Sequence, residues 1–416
     1  GRGWDQNDWP VKEFPDRHDL DAEFPNRPVW LRRIDGHAGW ANSAALALAD
    51  QDLGGDWQPE GGFIFRDEDG QASGVLVDGA MGMVEQAVPD VSQELLAASL
   101  DLALQQMLSL GLTGVHDMGI GRDVVELYRQ QIGAGRFPTR VYAFTDGAGE
   151  TLDWLCANGA LNDDSGRLHM RAVKLFIDGA MGSRGAALLE DYSDDTGNAG
   201  LLFMGPEDLE ARIDKALACG FQVGVHAIGD KGNRVVLDAL EAVMPRYPDN
   251  PGRHRVEHAQ TLTEADVPRF AELAVIAAMQ PTHATSDMYW VEDRLGPDRT
   301  SYAYAWRMLL DSGARLALGS DFPVEKVDPM LGIYAAVTRQ DTEGWPPGGW
   351  YPDQVMTREE AVRGFTLDAA ISGFMEDSVG SLEAGKRADF IVLDRDVFEV
   401  DVKEIPQIEV LQTWLD

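Results

Sequence analysis

From Thr113 onward, short strand-like runs alternate with longer helix-like runs, and this alternation constrains the possible folds more than any other feature of the sequence. The helix-like runs repeat apolar residues every three or four positions, which is the period of an amphipathic helix. Because strands that alternate with helices form βαβ units, the pattern predicts an α/β fold around a parallel sheet. The strand-like runs are residues 113–117, 139–145, 171–177, 221–227, 254–260, 275–280 and 315–321.

The number of strand-like runs indicates a barrel that lacks one strand. A (β/α)8 barrel of the TIM type needs eight strands over about 250 residues, and this sequence offers seven. We therefore predict such a barrel with its first strand missing from this chain. We predict that residues 1–90 form an insertion or lid that follows the absent strand. Residues 91–378 are predicted to form the barrel, and residues 379–416 a segment of a small β-sandwich domain.

Charge and cysteine content exclude several classes of function. The formal net charge of the 416-residue chain is −35, which argues against binding to nucleic acid or to an anionic membrane surface. No apolar run approaches the roughly 20 residues that span a bilayer. Only Cys156 and Cys219 are present, which predicts no disulfide framework and a reducing, cytoplasmic location.

A lysine stands in the middle of the third strand-like run, "RAVKLFI". Burying the ammonium group of Lys174 in a sheet is costly unless the group is paired, neutralised or used chemically. Two imidazoles and a carboxylate stand at the ends of later strands: His226, His258 and Asp321. The spacings of 52, 32 and 63 residues between these four positions fit whole βα units, so all four side chains should meet at the barrel mouth.

This set of side chains suits a divalent metal such as Zn²⁺. Lys174 can join the imidazoles as a ligand only if its amine reacts with CO₂, because the resulting carbamate is an anion that can bridge two metals. One or two metal ions, zinc or another divalent ion, fit this prediction.

Nine motifs in a fixed order carry a resemblance to a known family. The sequence closely resembles the amidohydrolase superfamily, in particular the metal-dependent branch that includes N-substituted formamide deformylases (amidohydrolase family 3). The motifs are "WLRRIDGHAGWANSAAL", "GLTGVHDMG", "VKLFIDGAMGSRGAAL", "VGVHAIGDKGN", "RVEHAQ", "MQPTHATSDM", "LALGSDFPVE", "TRQD" with "PPGGWYP", and "GSLEAGKRADFIVLD".

The resemblance implies a hydrolase that cleaves a C–N bond, other than a peptide bond, in an amide-like small molecule such as an N-formyl or N-acyl amine. It implies a carbamylated, metal-bridging Lys174, with His226 and His258 on one metal. Asp321 would bind the other metal and act as the general base.

The sequence also departs from this family. Family members carry a His-x-His pair on the first barrel strand, and this chain contains no such pair. We therefore expect a chain that is truncated at its N-terminus and lacks ligands for one metal. Two other interpretations stay open: a non-catalytic barrel scaffold or inactive fragment, and an aldolase that forms a Schiff base with Lys174.

Three further residues are candidates for contacts with the substrate. His283 follows the strand before Asp321, which predicts a catalytic role in polarising the substrate carbonyl or orienting the nucleophile. His37 lies in the insertion and Arg184 in a glycine-rich loop, and both are predicted to contact the substrate. Assembly of identical subunits is compatible with the sequence.

Overall fold

The computed structural model describes residues 1–416. The strands are β1 (Arg2–Trp4), β2 (Trp30–Arg33), β3 (Ala38–Ala41), β4 (Gly62–Arg66), β5 (Ala72–Asp78), β6 (Gly114–Ile120), β7 (Arg140–Thr145), β8 (Leu161–Asn162), β9 (Leu168–Phe176), β10 (Gln222–Ala227), β11 (Arg255–His258), β12 (Ile276–Met279), β13 (Leu316–Leu318), β14 (Phe390–Leu393) and β15 (Val410–Trp414).

The α-helices are α1 (Arg17–Glu23), α2 (Ser43–Leu46), α3 (Gly82–Glu85), α4 (Gln93–Ser109), α5 (Arg122–Gly133), α6 (Glu150–Asn158), α7 (Pro206–Ala218), α8 (Asp230–Val243), α9 (Val267–Glu272), α10 (Pro281–Asp287), α11 (Val291–Thr300), α12 (Trp306–Asp311), α13 (Pro329–Thr338), α14 (Arg358–Phe365) and α15 (Leu367–Ser372). None of the helices has the length and apolar composition that a membrane crossing needs.

A curled parallel sheet of seven strands forms the centre of the molecule. Its order is β13-β12-β11-β10-β9-β7-β6, and the two-residue strand β8 pairs antiparallel with β9. All seven predicted strand-like runs become strands of this sheet. Because β6 and β13 do not pair, the sheet is a half-barrel, which confirms the predicted α/β class and the absence of one barrel strand.

The helices outside the half-barrel cover its outer face and form the main core with it. A single cluster of 63 buried apolar residues runs through the sheet and these helices. On α7, Leu209, Ile213 and Leu217 are buried at four-residue spacing, which places one apolar stripe against the strands. Full burial of each such side chain stabilises the fold by roughly 1.5–3 kcal/mol.

Residues 1–85 build a second sheet at the edge of the half-barrel. Its order is β1-β2-β3-β5-β4; β1 runs parallel to β2, and the other pairs are antiparallel. It has its own small core of nine buried apolar residues and a separate group of packed aromatic rings that includes Trp4, Trp9 and Trp40. The division of the chain at residues 90 and 378 stays a prediction.

The C-terminal residues form the hairpin-like pair β14 and β15, as the lack of helical periodicity predicts. This pair is tied to the half-barrel by polar contacts. The guanidinium of Arg140, at the start of β7, donates to Asp389, and the hydroxyl of Thr413 donates to the carbonyl of Leu108.

The two cysteines form a disulfide, so the prediction that they form none is wrong. Cys156 lies on α6, and Cys219 directly follows α7. These helices follow β7 and β9, which are neighbours in the sheet, so the fold brings together two residues that are 63 positions apart. The cysteine content therefore no longer favours a reducing compartment.

Candidate active site and metal centre

The C-terminal ends of the half-barrel strands surround one large cavity, of about 850 Å³. Active sites of barrel enzymes lie at this end of the strands. The five-stranded sheet closes the cavity from one side. Six of the seven residues predicted for the site line it: His37, Lys174, His226, His258, His283 and Asp321.

Lys174 and His226 point from neighbouring strands toward the same side of the sheet. Lys174 on β9 is in register with Gly224 on β10, and His226 follows two residues later on the same face of that strand. The amine of Lys174 is buried, forms no ion pair, and lies 4.7 Å from the ring centroid of Phe176. Burial lowers the pKa of Lys174, while the carboxylates of Glu257 and Asp321 oppose this shift. A lowered pKa increases the fraction of free amine, the form that reacts with CO₂ or with a carbonyl.

The imidazole of His226 is held from behind by the loop after β9. Its Nε2 lies 3.3 Å from the carbonyl oxygen of Gly179 and 3.7 Å from a carboxylate oxygen of Asp178. The ring centroids of His226 and His258 are 4.6 Å apart. Burial, followed by the neighbouring His258, lowers the pKa of His226 well below its usual value, so the ring is neutral, as a metal ligand must be.

Among the His, Cys, Asp and Glu side chains, three converge closely enough to share a metal ion. One ligand atom from each of His258, His283 and Asp321 lies within 4.8 Å of the others. The sequence placed His283 in a catalytic role, whereas the structure adds it to this group. Burial lowers the pKa of His258 to about 3, so that imidazole is also neutral.

Hydrogen bonds to two glutamines distinguish the two imidazoles of this group. The Nδ1 atom of His258 lies 2.8 Å from Oε1 of Gln280, so Nδ1 carries the proton and Nε2 presents a lone pair. The Nδ1 atom of His283 accepts from the amide of Gln260 at 3.1 Å, so its Nε2 carries the proton. That Nε2 is buried without a hydrogen-bond partner and lies 3.6 Å from Asp321. His258 is therefore suited to bind a metal, and His283 to donate a hydrogen bond.

The backbone is strained where two of these side chains enter the cavity. His258 has φ +78° and Asp321 has φ +56°, a left-handed conformation that residues other than glycine adopt rarely. Strain of this kind clusters at functional sites and persists only when the surrounding structure compensates for it. His258 is the last residue of β11, and Asp321 lies three residues after the end of β13.

Asp178 is a buried carboxylate that the sequence analysis did not identify. It accepts hydrogen bonds from the backbone N–H groups of Ala187, Ile228 and Gly229 at 2.8–3.0 Å. Burial raises its pKa to about 7, although these three donors oppose the shift. Asp178 thus joins the loop after β9 to the loop after β10, next to His226.

His37 reaches the cavity from the five-stranded sheet. Its Nδ1 lies 2.6 Å from Oδ1 of Asp78, and its ring centroid is 5.0 Å from that of His226. Asp78 was not predicted because it lies 41 residues from His37 in the sequence. Gln260 and Gln280 were also missed, although each stands within two or three residues of a predicted histidine, a proximity that is a usable signal.

Arg184 is the one predicted site residue that does not line the cavity. Its guanidinium pairs with the carboxylate of Asp194 at 2.9 Å, within the same loop. Gly182 and Met181 of that loop line the cavity instead. The acidic segment "EDYSDD", which lies downstream in the same loop, supplies this ion-pair partner for Arg184. The prediction from the sequence did not take that pairing into account.

A metal ion suits the imidazoles of His226 and His258 together with the carboxylate of Asp321. Neutral imidazoles and a carboxylate are the ligand types that bind divalent zinc-like ions, and a ligand imidazole typically donates its other N–H to a fixed acceptor, as His258 does to Gln280. Lys174 and His226 border the same cavity. An open α/β barrel with this set of donors at its strand ends defines the class of metal-dependent barrel hydrolases.

Comparisons with known proteins place the chain within that class. The chain belongs to the Amidohydrolase family, whose sequence profile matches residues 1–416. It is 36% identical to amidohydrolase YtcJ of Bacillus subtilis (strain 168), over 100% of this chain and 78% of that protein. It is 30% identical to the N-substituted formamide deformylase of Arthrobacter pascens, over 97% of this chain and 75% of that enzyme.

A solved structure shares the whole architecture. The crystal structure of an uncharacterized metal-dependent hydrolase from Pyrococcus horikoshii OT3 superposes with a TM-score of 0.76 at 29% identity, over 97% of this chain and 78% of that one. Together with the family membership, this supports a hydrolase that acts on small molecules and depends on a divalent metal.

Proposed function

We propose that this protein is a metal-dependent hydrolase that cleaves the C–N bond of an N-formyl or N-acyl amine rather than a peptide bond. The observation that carries the proposal is the convergence of His258, His283 and Asp321 within 4.8 Å, in a cavity that Lys174 and His226 also line. The similarity to an N-substituted formamide deformylase supports the choice of substrate class.

Lys174, His226, His258 and Asp321 would hold one or two divalent ions, with zinc as the first candidate and Lys174 as its carbamate. A metal bound there supplies a Lewis acid and lowers the pKa of bound water. Burial lowers the pKa of the Lys174 amine, and this favours carbamate formation because only the free amine reacts with CO₂.

The side chains around this site divide the proton transfers among them. Asp321, half-exposed at the cavity, accepts a proton from the attacking water and returns it to the departing amine. The Nε2–H group of His283 donates a hydrogen bond to the substrate carbonyl oxygen, where negative charge develops. Gln260 keeps His283 in the tautomer that can make this donation.

The test is turnover together with metal content. The full-length protein, purified with zinc or manganese supplied, should contain bound metal and release amine from members of a panel of N-formyl and N-acyl amines. Stripping the metal with a chelator should abolish turnover, and adding the metal back should restore it. Absence of both metal and hydrolysis would instead favour the scaffold interpretation.

One observation favours a second candidate, a Schiff-base aldolase. Lys174 is a buried, unpaired amine with a lowered pKa, and this description also fits a lysine that condenses with carbonyl substrates. Borohydride treatment in the presence of a carbonyl substrate separates the two: covalent trapping at Lys174 supports the aldolase, and its absence together with metal-dependent amide hydrolysis supports the hydrolase.

A further inference from the structure

His37 and Asp78 form a hydrogen-bonded pair at the border between the five-stranded sheet and the half-barrel. His37 lies directly before β3, Asp78 ends β5, and Nδ1 of His37 is 2.6 Å from Oδ1 of Asp78. The backbone N–H of His37 also donates to the carboxylate of Asp35 at 3.0 Å. Both the backbone and one ring nitrogen of His37 are therefore fixed.

The loop after β9 of the half-barrel packs closely around the Asp78 carboxylate. The side chain of Asp78 is only 1% exposed, and its second oxygen, Oδ2, is buried without a hydrogen-bond partner. A Cβ atom at Gly179 or at Gly185 would lie 2.4 Å from that oxygen. The glycines in the loop after β9 thus allow this loop to close over a carboxylate from another sheet.

The pair directs the free nitrogen of His37 into the cavity. Because Nδ1 faces Asp78, Nε2 is the ring atom available to the cavity that His37 lines. The ring stands 5.0 Å from the ring of His226 and 6.3 Å from that of Phe203. A carboxylate behind an imidazole is the usual way to fix the orientation of a functional histidine.

We propose that Asp78 is a positioning residue that holds His37 so that Nε2 of His37 contacts the substrate. The five-stranded sheet would then complete the substrate site of the half-barrel. This inference rests on the proposed hydrolase function and assigns to Asp78 a role at the same site.

The test compares kcat and KM of five single variants and one double variant in the metal-loaded, full-length protein. His37→Phe keeps an aromatic ring against His226 but removes both nitrogens, and His37→Gln restores a polar atom near the position of Nε2. Asp78→Asn weakens the positioning contact. His18→Gln and Asp67→Asn are matched controls in the same N-terminal region, because His18 lies exposed on α1 and Asp67, directly after β4, pairs with Arg17 away from the cavity.

We expect His37→Phe to lower kcat/KM about 10- to 100-fold, because the variant loses one hydrogen bond to a polar group of the substrate. His37→Gln should recover part of that loss, and both controls should match the wild type. The double variant His37→Phe/Asp78→Asn should be no worse than His37→Phe alone, because Asp78 acts through His37. Metal content should be unchanged throughout.

Three results would overturn the inference: unchanged kcat/KM in His37→Phe, additive losses in the double variant, or loss of metal from His37→Phe, which would make His37 a ligand. Nitrogen-15 NMR of labelled histidine adds a readout that needs no substrate. A hydrogen-bonded Nδ1 proton of His37 that disappears in Asp78→Asn supports the pair, and its absence in the wild type refutes it. An inactive wild type would defeat the proposed function, while the NMR signal would still decide the pairing.

Discussion

The half-barrel and the five-stranded sheet line the same cavity, but their strands are buried to different extents. Strands β10, β11 and β12 are buried along their whole length, as parallel strands covered by helices are. Strand β2 buries only its last residue, strand β4 alternates between buried and exposed over its first three residues, and their sheet is held by a small core and by side-chain pairs. The rigid half-barrel carries the candidate metal ligands, and the more exposed sheet carries His37. The difference suggests that the half-barrel supplies the metal chemistry and that the five-stranded sheet adds a further contact to the substrate.

The largest expected effect tests whether the chemistry resides on the half-barrel. Asp321→Asn should lower kcat by about 10²- to 10⁴-fold, because the amide cannot accept the proton of the attacking water. Metal content, measured by elemental analysis, should stay close to that of the wild type. If His37→Phe reduces turnover more than Asp321→Asn does, the proposed division of roles is wrong.

A smaller effect concerns the covalent cross-link, which is present in the half-barrel and not in the five-stranded sheet. Closing a 63-residue separation should stabilise the fold by about 3–4 kcal/mol. Cys156→Ser/Cys219→Ser should therefore lower the urea midpoint of unfolding. Reductant should lower the midpoint of the wild type equally and leave the double variant unaffected. An unchanged wild-type midpoint under reducing conditions would show that the bond does not form or does not contribute.

The loss of folding stability at acidic pH gives a third comparison between the half-barrel and the five-stranded sheet. Burial lowers the pKa of His254, at the start of β11, to about 4. The unfolded chain takes up a proton at this residue below about pH 6.5, and the folded chain does so only near pH 4. Stability contributed by neutral His254 is therefore complete above pH 6.5 and is lost as the pH falls through 4, by about 3 kcal/mol in total.

His254→Asn removes the titration but keeps an acceptor for the backbone N–H of Val223, which His254 Nδ1 binds at 3.2 Å. The variant should lose less stability than the wild type between pH 7 and pH 4.5 in urea titrations. His18→Gln, at an exposed position of α1, should leave the profile unchanged. Identical pH slopes for the wild type and His254→Asn would rule out this contribution.

The smallest effect tests the contact between the two regions. Gly185→Ala places a Cβ against the Asp78 carboxylate, which should cost about 1–3 kcal/mol. Hydrogen exchange should increase in the loop after β9 and at the end of β5. Gly133→Ala, in α5 with nothing within 4 Å of the added Cβ, should be neutral or slightly stabilising. Equal hydrogen exchange in both variants would show that the loop after β9 does not depend on its contact with Asp78.

The sequence predicted the half-barrel well because its signals are local. Each strand is a short apolar run, each helix has its own period, and the positions of Lys174, His226, His258 and Asp321 follow from counting βα units. The five-stranded sheet was less predictable, because its strands are three to seven residues long and pair across loops. From the sequence, residues 1–90 were therefore predicted only as an insertion or lid.

The site details that were missed depend on contacts between distant residues. Asp78 meets His37 only once the sheet has formed, and Cys156 meets Cys219 only once the neighbouring helices pack. Arg184 was assigned to the substrate because its loop is rich in glycine. The structure shows that Gly179 and Gly185 instead make room for Asp78.

Anomalous X-ray diffraction from crystals grown with zinc would test the central claim most directly, because it locates the metal without reference to activity. We predict a peak at the C-terminal ends of the half-barrel strands, about 2.0–2.2 Å from imidazole nitrogens of His226 and His258 and from an oxygen of Asp321 or of carbamylated Lys174. A fully loaded crystal whose zinc lies elsewhere, or whose cavity holds none, would contradict it.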